Sequence, residues 1–199
     1  MPTGDGRYRA AIERIDAANR QDPNRESWQG QSYPKELLYS ERMSAWLERL
    51  ESGASEALRL AVRAQHLCRW RLPRSDYPAG RRSYLAWRRD CARMHADLAA
   101  ELLREVGYDD QTVGRTEELI LKRRLELDPE SQLLEDVACL VFLESYLAGF
   151  APRLGEAKVV EILRKTWRKM SPRARREALA LELPAELREL VAIAVGGAD

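Results

Sequence analysis

QLLEDVACLVFLESYLAGF, residues 132–150, is a nearly continuous apolar stretch interrupted by few charges. Its middle is apolar on almost every face, which is typical of a helix buried on all sides. Asp128 and Pro129 precede it and suit the N-cap and the first helical position. The sequence therefore predicts a long, central helix over 129–150.

The rest of the chain also has helical character. Ala, Leu, Arg and Glu dominate and Val and Ile are sparse, so strand signals are nearly absent. Further helices are predicted at 7–20, 35–50, 55–71, 83–106 (ended by Gly107), 111–126 and 156–170 (preceded by Gly155). Two more follow, one capped by Ser171-Pro172 and a short last one that starts at Pro184. We expect an all-α fold, a single-domain HD-like bundle of about eight helices over 1–199. Its core is predicted at about 34–170, with a C-terminal helical extension at 171–199.

The overall charge is nearly balanced. The chain has 33 Lys and Arg against 32 Asp and Glu, a formal net charge of +1. Strong non-specific binding to nucleic acid is therefore not expected. No apolar run approaches the roughly 18 residues that a membrane span needs. The N-terminus lacks the apolar region of a secretory signal, so we expect no membrane association and a cytoplasmic location.

The three cysteines do not suggest a disulfide framework or a zinc site. Cys68, Cys91 and Cys139 are far apart, odd in number and embedded in helical patterns. No CxxC spacing occurs. We expect reduced thiols within the core.

Two adjacent carboxylates, Glu135 and Asp136, interrupt the apolar stretch. Neighbouring helical residues lie about 100° apart, so at least one is expected to point inward, and Asp136 is the favoured one. A buried carboxylate needs a compensating cation. A structural ion pair with an Arg and a catalytic or metal-binding role both remain open.

The chain contains two histidines, His66 and His95, each predicted within a helix. A lone helical His is usually a hydrogen-bonded core residue, whereas two His and a carboxylate from separate helices can also form a metal site. Iron, manganese or zinc would suit such mixed ligands. Glu41 is a weaker candidate ligand, and it can equally be an ordinary helical acid or a partner for a neighbouring Arg.

The loop between the two histidines is rich in arginine and aromatic residues. Arg forms forked hydrogen bonds to phosphate, and aromatic rings stack on bases. A structured loop whose Arg side chains pair with Glu is an equal alternative. The predicted anion-binding residues are Arg71, Arg74, Arg81, Arg82, Arg88 and the more distant Lys122. The predicted stacking residues are Trp70, Tyr77, Tyr84 and Trp87.

Several segments resemble an uncharacterised family, the domain of unknown function 4202. Together they extend over most of the chain. This resemblance implies no activity. The segments are PKELLYSERM (34–43), SEALRLAVRAQHLCRW (55–70), PRSDYPAGRRSYLAWRR (73–89), MHADLAAELL (94–103), LEDVACLVFLE (134–144) and KTWRKMS (165–171).

A more distant resemblance is to the HD-domain metal-dependent phosphohydrolases. It places His66-Leu67 at the family's His-Asp pair and Asp136, in LEDVACLVFL, at its final Asp. Glu41 stands where that family has its first His, while His95 and Lys122 fall near its auxiliary His positions. Because Glu41 and Leu67 depart from the pattern, the resemblance implies one divalent cation rather than two.

Two functional hypotheses follow. In the first, the chain is a metal-dependent hydrolase of a phosphate-containing small molecule or nucleotide. His66, Asp136 and Glu135 would be catalytic, and His66, Asp136, Glu41 and His95 would bind the metal. An iron-dependent oxygenase is a variant. In the second, the chain is a non-catalytic helical module whose Arg- and aromatic-rich loop binds a nucleotide, an RNA or a protein.

Overall fold

The computed structural model describes residues 4–123 and 127–196 and is mostly helical (74%). The described residues form ten α-helices and one two-stranded sheet, so the expected all-α character is confirmed in outline and the count of about eight helices is wrong. The chain divides into two compact units, Met1–Arg124 (unit 1) and Leu125–Asp199 (unit 2). This division falls inside the predicted core, and the single domain stays a prediction.

Unit 1 contains five helices and a hairpin. Helix α3 packs on α1, α2 and α5, and α4 packs on α5. Ala11, Leu60, Ala100, Leu103, Tyr108 and Val113 form a buried cluster among these helices. The elements are α1 (Gly4–Asn19), β1 (Arg25–Trp28), β2 (Gln31–Pro34), α2 (Lys35–Leu50), α3 (Glu56–Ala64), α4 (Arg81–Glu105) and α5 (Asp110–Ile120), with 3-10 turns at Arg69–Arg71 and Arg74–Asp76.

The hairpin lies in a segment that the sequence analysis leaves outside any strand. Strands β1 and β2 are antiparallel, with Trp28 paired to Gln31. The two residues between them, Gln29 and Gly30, have φ of 50° and 77°. Positive φ at both central residues is the geometry of the tight hairpin turns that match strand twist.

Helix α3 ends earlier than predicted, and this changes the setting of His66. The Ser55 side chain caps the N-terminus of α3 by accepting from the Leu58 amide. The helix ends at Ala64, whereas the prediction extended it to Arg71. His66 therefore lies in the turn that follows. His95 lies in the middle of α4, as predicted, and Gly107 (φ 85°) ends that helix in the left-handed conformation.

Unit 2 is built around the apolar stretch. Its elements are α6 (Pro129–Val141), a π-helical turn (Phe142–Tyr146), α7 (Leu147–Phe150), a 3-10 turn (Ala151–Arg153), α8 (Glu156–Lys169), α9 (Pro172–Leu179) and α10 (Ala185–Val195). Asp128 caps α6 as predicted. The expected helix over 129–150 is present without a break, but a π-turn at Phe142–Tyr146 divides it into two α-helical parts. Within unit 2, α6 is largely buried and packs on α8 and α9.

Three smaller points complete the comparison. Cys68, Cys91 and Cys139 are free and buried, as expected. Helix α5 stops at Ile120, whereas it was predicted to reach 126; residues 124–126 lie outside the described part of the chain. Within the described residues, no helix combines the length and the apolar character needed to cross a membrane.

Candidate functional site

The predicted site residues are divided between the two units. His66, His95, Glu41, Lys122 and the Arg- and aromatic-rich loop belong to unit 1, and Glu135 and Asp136 belong to unit 2. Each group has its own set of partners.

In unit 2, the carboxylate pair connects α6 to the α8–α9 turn. Asp136 Oδ1 accepts from the Ser171 amide at 2.8 Å and from Gln132 Nε2 at 3.0 Å. Gln132 Nε2 also donates to the Lys169 carbonyl at 2.8 Å. Glu135 Oε1 lies 3.1 Å from Lys169 Nζ. Both carboxylates are buried and both have partners, and the cation is a Lys where the sequence suggested an Arg.

Glu41 lies at the edge of a different ion pair. Its half-exposed side chain is 4.0 Å from the Arg63 guanidinium. That guanidinium is buried and binds both oxygens of Asp16 at 2.7 Å, which joins α1 to α3. Of the roles left open for Glu41, the structure shows the partner of a neighbouring Arg.

The two histidines lie close together in unit 1, with ring centres 5.9 Å apart. The turn after α3 sets this arrangement. His95 Nδ1 lies 2.7 Å from the carbonyl of the buried Leu67. The next residue, Cys68, has a left-handed φ of 55°, and its amide donates to Asn19 Oδ1 at 3.0 Å. An uncommon backbone conformation thus holds the segment that carries His66 against α4.

His66 has partners on both ring nitrogens and on one face. Its Nδ1 lies 3.2 Å from Glu36 Oε2, and its Nε2 lies 2.8 Å from Arg69 Nη1. A guanidinium can only donate, so Nε2 accepts, and Nδ1 carries the proton that is donated to Glu36. The Tyr39 ring stacks on the imidazole at 3.9 Å with an interplanar angle of 10°. We call His66, His95, Glu36 and Arg69 the polar cluster.

The electrostatic environment of the polar cluster is positive. Burial lowers the pKa of His66 well below its usual value, and the cations of Arg69, Lys122, Arg88 and Lys35 lower it further. Burial lowers the pKa of His95 to about 3, and its neighbour His66 contributes. Burial raises the pKa of Glu36 although Arg69 and Lys35 oppose the shift. Both imidazoles are therefore neutral at neutral pH, among several cations.

The loop after the cluster is fixed by some of the residues predicted to bind ligands. Arg74 donates to the carbonyls of Tyr77 (2.6 Å) and Pro78 (3.0 Å). The Tyr77 hydroxyl donates to Asp90 at 3.1 Å. Trp87 Nε1 donates to the Leu72 carbonyl at 2.8 Å. These side chains hold the loop in place, as the structured-loop alternative expected, but Arg74 does so through backbone carbonyls and not through a Glu.

Other cations near the cluster have no acidic partner. Arg69 lies over the Trp87 ring at 4.7 Å and contacts His66. In the part of the chain that the structure describes, no carboxylate lies within ion-pair distance of the side chains in this set. The set is Lys35, Arg69, Arg71, Arg81, Arg82 and Arg88. Tyr84, at 42% exposure, lies beside Trp87, and Trp70 is half-buried.

One ring nitrogen of the cluster has no partner. His95 Nε2 is buried and makes no hydrogen bond to any described residue. Within either unit, the described residues contain no group of three or more His, Cys, Asp or Glu side chains able to hold a metal ion.

Sequence reasoning missed Glu36, Tyr39 and Arg69. Glu36 and Tyr39 lie in the first turns of α2, where an acid and an aromatic residue are ordinary. Arg69 follows His66 by three residues, but within the predicted helix that spacing has no special meaning. The early end of α3 brings Arg69 onto the imidazole, and the sequence did not indicate that end.

Comparison with known proteins gives the family. Residues 9–191 match the family described as Domain of unknown function (DUF4202). The chain belongs to this family. No curated protein and no solved structure matches the chain. The match confirms the family resemblance stated above and carries no activity with it.

Proposed function

We propose that unit 1 of this DUF4202 chain is a binding module for a small phosphate-containing anion, and that the anion binds at the polar cluster. The observation that carries the proposal is the setting of Arg69. Its half-buried guanidinium lies between a neutral imidazole and an indole ring, with no carboxylate within ion-pair distance among the described residues. A charge removed from water needs a counter-charge, and phosphate fits a guanidinium well.

The neighbouring charges support an anion as the missing partner. Lys35, Lys122 and Arg88 all act on His66, and Glu36 is the carboxylate that contacts the imidazole. Positive charge of this density repels a cation and attracts phosphate. Cys68 and Lys122 (φ 52°) add to the case, since non-glycine residues in the left-handed conformation are concentrated at functional sites.

Calorimetric titration with inorganic phosphate tests the proposal. Arg69→Met should weaken binding by about 1.5–3 kcal/mol, the size of a charge-assisted hydrogen bond. Two adjacent residues of α4 give a matched pair: Arg88 acts on His66, whereas Arg89 pairs with Asp90. Arg88→Met should weaken binding and Arg89→Met should not. Absence of phosphate binding to the wild-type chain, or equal effects of the two α4 variants, contradicts the proposal.

A nucleotide is the more specific ligand within this proposal. The half-exposed Tyr84 ring offers a stacking surface near the cluster. Stacking of one base contributes about 1–3 kcal/mol. At about pH 5.5, where both phosphates keep a P–OH group, adenosine monophosphate should therefore bind more tightly than inorganic phosphate, and Tyr84→Ala should remove that difference. If Tyr84→Ala weakens both ligands equally, the aromatic contact is not with a base.

The metal-dependent phosphohydrolase on an HD-like scaffold, and its iron-dependent oxygenase variant, stay predictions. One observation favours a metal: both histidines have Nδ1 held by an acceptor, which leaves the lone pair on Nε2. Of the two Nε2 atoms, that of His66 already accepts from Arg69, so a metal there would have to displace the guanidinium. The described residues do not complete a ligand set around them. Metal analysis of untagged protein tests the idea. Near-stoichiometric iron, manganese or zinc that is lost in His66→Ala would favour it over anion binding alone.

The remaining expectations also stay predictions. These are a cytoplasmic location, no membrane association and no strong non-specific nucleic-acid binding. A gel-shift series with random-sequence DNA at increasing salt tests the last. We expect no shift at physiological ionic strength.

A further inference from the structure

His95 Nε2 is a buried hydrogen-bond acceptor that nothing in the described part of the chain satisfies. His95 Nδ1 lies 2.7 Å from the Leu67 carbonyl. A carbonyl oxygen only accepts, so the hydrogen-bond network assigns the proton to Nδ1 and leaves a lone pair on Nε2. Buried polar atoms are almost always paired, and an unpaired one costs folding free energy.

Among the residues that the structure describes, none supplies a proton for this nitrogen. Burial and the nearby His66 keep the pKa of His95 at about 3, so Nε2 is not protonated at neutral pH. The Arg69 cation acts on His95, but its Nη1 is directed to His66 Nε2 at 2.8 Å. The described residues therefore do not supply the complementary group, which must be a hydrogen-bond donor.

The position of His95 connects this requirement to the anion. Its ring centre is 5.9 Å from that of His66, the imidazole that Arg69 contacts. The Arg69 cation also acts on His95, so an anion bound at Arg69 would lie in the neighbourhood of the His95 ring. Since Nε2 is closed to solvent, the anion would have to replace His66 as the partner of Arg69, and it would enter past the partly exposed His66 and Arg69 side chains.

We infer that His95 makes the polar cluster selective for tetrahedral anions that carry a hydrogen-bond donor, such as hydrogen phosphate, over anions of the same shape without one, such as sulfate. The inference rests on the proposed anion-binding function and specifies its ligand class. Near neutral pH, inorganic phosphate keeps at least one P–OH group, which donates to Nε2. Sulfate is fully deprotonated, so it would place an oxygen lone pair against the nitrogen lone pair.

Competition between matched anions tests the inference. Phosphate and arsenate both carry a donor, whereas sulfate and selenate do not, so the pairs separate hydrogen bonding from size. Phosphate and arsenate should bind at least about tenfold more tightly than sulfate and selenate, since a mismatched buried polar group costs at least that much. His95→Phe should reduce the ratio to about one, mainly by strengthening sulfate relative to phosphate.

A second measurement tests the inference without the His95→Phe variant. The chain has two histidines, so histidine labelled with 15N gives four imidazole nitrogen resonances. Phosphate should shift the His95 Nε2 resonance toward that of a hydrogen-bonded nitrogen, and sulfate should not. His66→Asn assigns the two rings. This arm gives an answer even when His95→Phe does not fold.

The possible results separate the two proposals. Tighter phosphate binding with a His95 Nε2 shift supports both. Equal binding of phosphate and sulfate, with no shift at Nε2, overturns the selectivity and leaves the anion-binding function standing; an internal water would then be the partner of Nε2. Absence of binding by all four anions overturns the proposed function and the inference with it.

Discussion

The two polar groups that the sequence marked as chemistry, one in each unit, differ in how completely their atoms are satisfied. In unit 2, Asp136 accepts from the Ser171 amide and Gln132, and Glu135 pairs with Lys169. In unit 1, Arg69 contacts no carboxylate and His95 Nε2 has no partner among the described residues.

This difference separates a structural role from a binding role. A fully paired buried network fixes the geometry of the elements that carry it, and removal of a member mainly costs stability. A network with a surplus cation and a spare acceptor is complete only when a ligand supplies the complement. Both groups contain buried polar residues, so burial alone does not tell them apart. The difference is whether every buried polar atom has a hydrogen-bond partner.

Acid should affect unit 1 more than any single substitution tested below. The folded-state pKa of each histidine lies below the unfolded value near 6.5, so the stability they contribute is present above about pH 6.5 and is lost as the pH falls toward the folded value. Each histidine then costs about 1.4 kcal/mol per pH unit. The raised pKa of Glu36 acts in the opposite direction and offsets part of this loss.

Urea unfolding at about pH 6.5 and about pH 4.5 measures the effect. Over that interval, His95→Phe should lose roughly 2 kcal/mol less unfolding free energy than the wild type, because it removes one titrating ring. Parallel pH dependence of the two proteins would contradict neutral burial of His95. Both histidines are in unit 1, so hydrogen exchange should show that unit opening first.

Asp136→Ala should destabilise unit 2 without changing anion binding. The substitution leaves the Ser171 amide without its acceptor, and an unpaired buried donor costs about 1–3 kcal/mol. Asp136→Asn keeps one accepting oxygen and is the matched control, with a smaller expected loss. Thermal unfolding gives the stability, and phosphate titration the affinity. A large loss of phosphate affinity in a folded Asp136→Asn protein would show that Asp136 takes part in anion binding and would contradict its purely structural role.

Lys122→Gly should have the smallest effect and should change stability and binding in opposite directions. Lys122 follows α5 with φ of 52°, a position that glycine occupies without steric strain. Glycine should raise the unfolding free energy by about 0.5–1 kcal/mol. Phosphate affinity should fall a few-fold because a cation near His66 is removed. Lys122→Arg, which keeps both charge and strain, should leave both quantities unchanged.

Local chemistry explains why much of the fold was predictable. The caps at Asp128 and Gly107 and the run of good helix formers set most helix positions. The end of α3 at Ala64 was not predictable, because LCRW continues the helical pattern while tertiary contacts at Leu67 and Cys68 override it. The π-turn at Phe142–Tyr146 interrupts a segment of equally helical composition.

Local sequence chemistry also made part of the site predictable. The sequence indicated both histidines and several cations, since these residue types are conspicuous in apolar segments. It did not indicate which carboxylate His66 contacts. Glu36 is distant from His66 in sequence and has ordinary neighbours. Asp136 is conspicuous because it interrupts an apolar helix, but its role in the structure is to accept the Ser171 amide. Satisfaction of hydrogen bonds is a property of the folded chain and has no local sequence signal.

The most direct test of the incomplete cluster in unit 1 is a phosphate titration followed by amide resonances of the wild-type chain. We expect saturable shifts at 66–72 and at Lys35 and Glu36, all with one dissociation constant, and an unchanged Ser171 amide, which is already bound to Asp136. Shifts centred on Ser171 and the α8–α9 turn, or no saturable shifts at 66–72, would contradict this expectation.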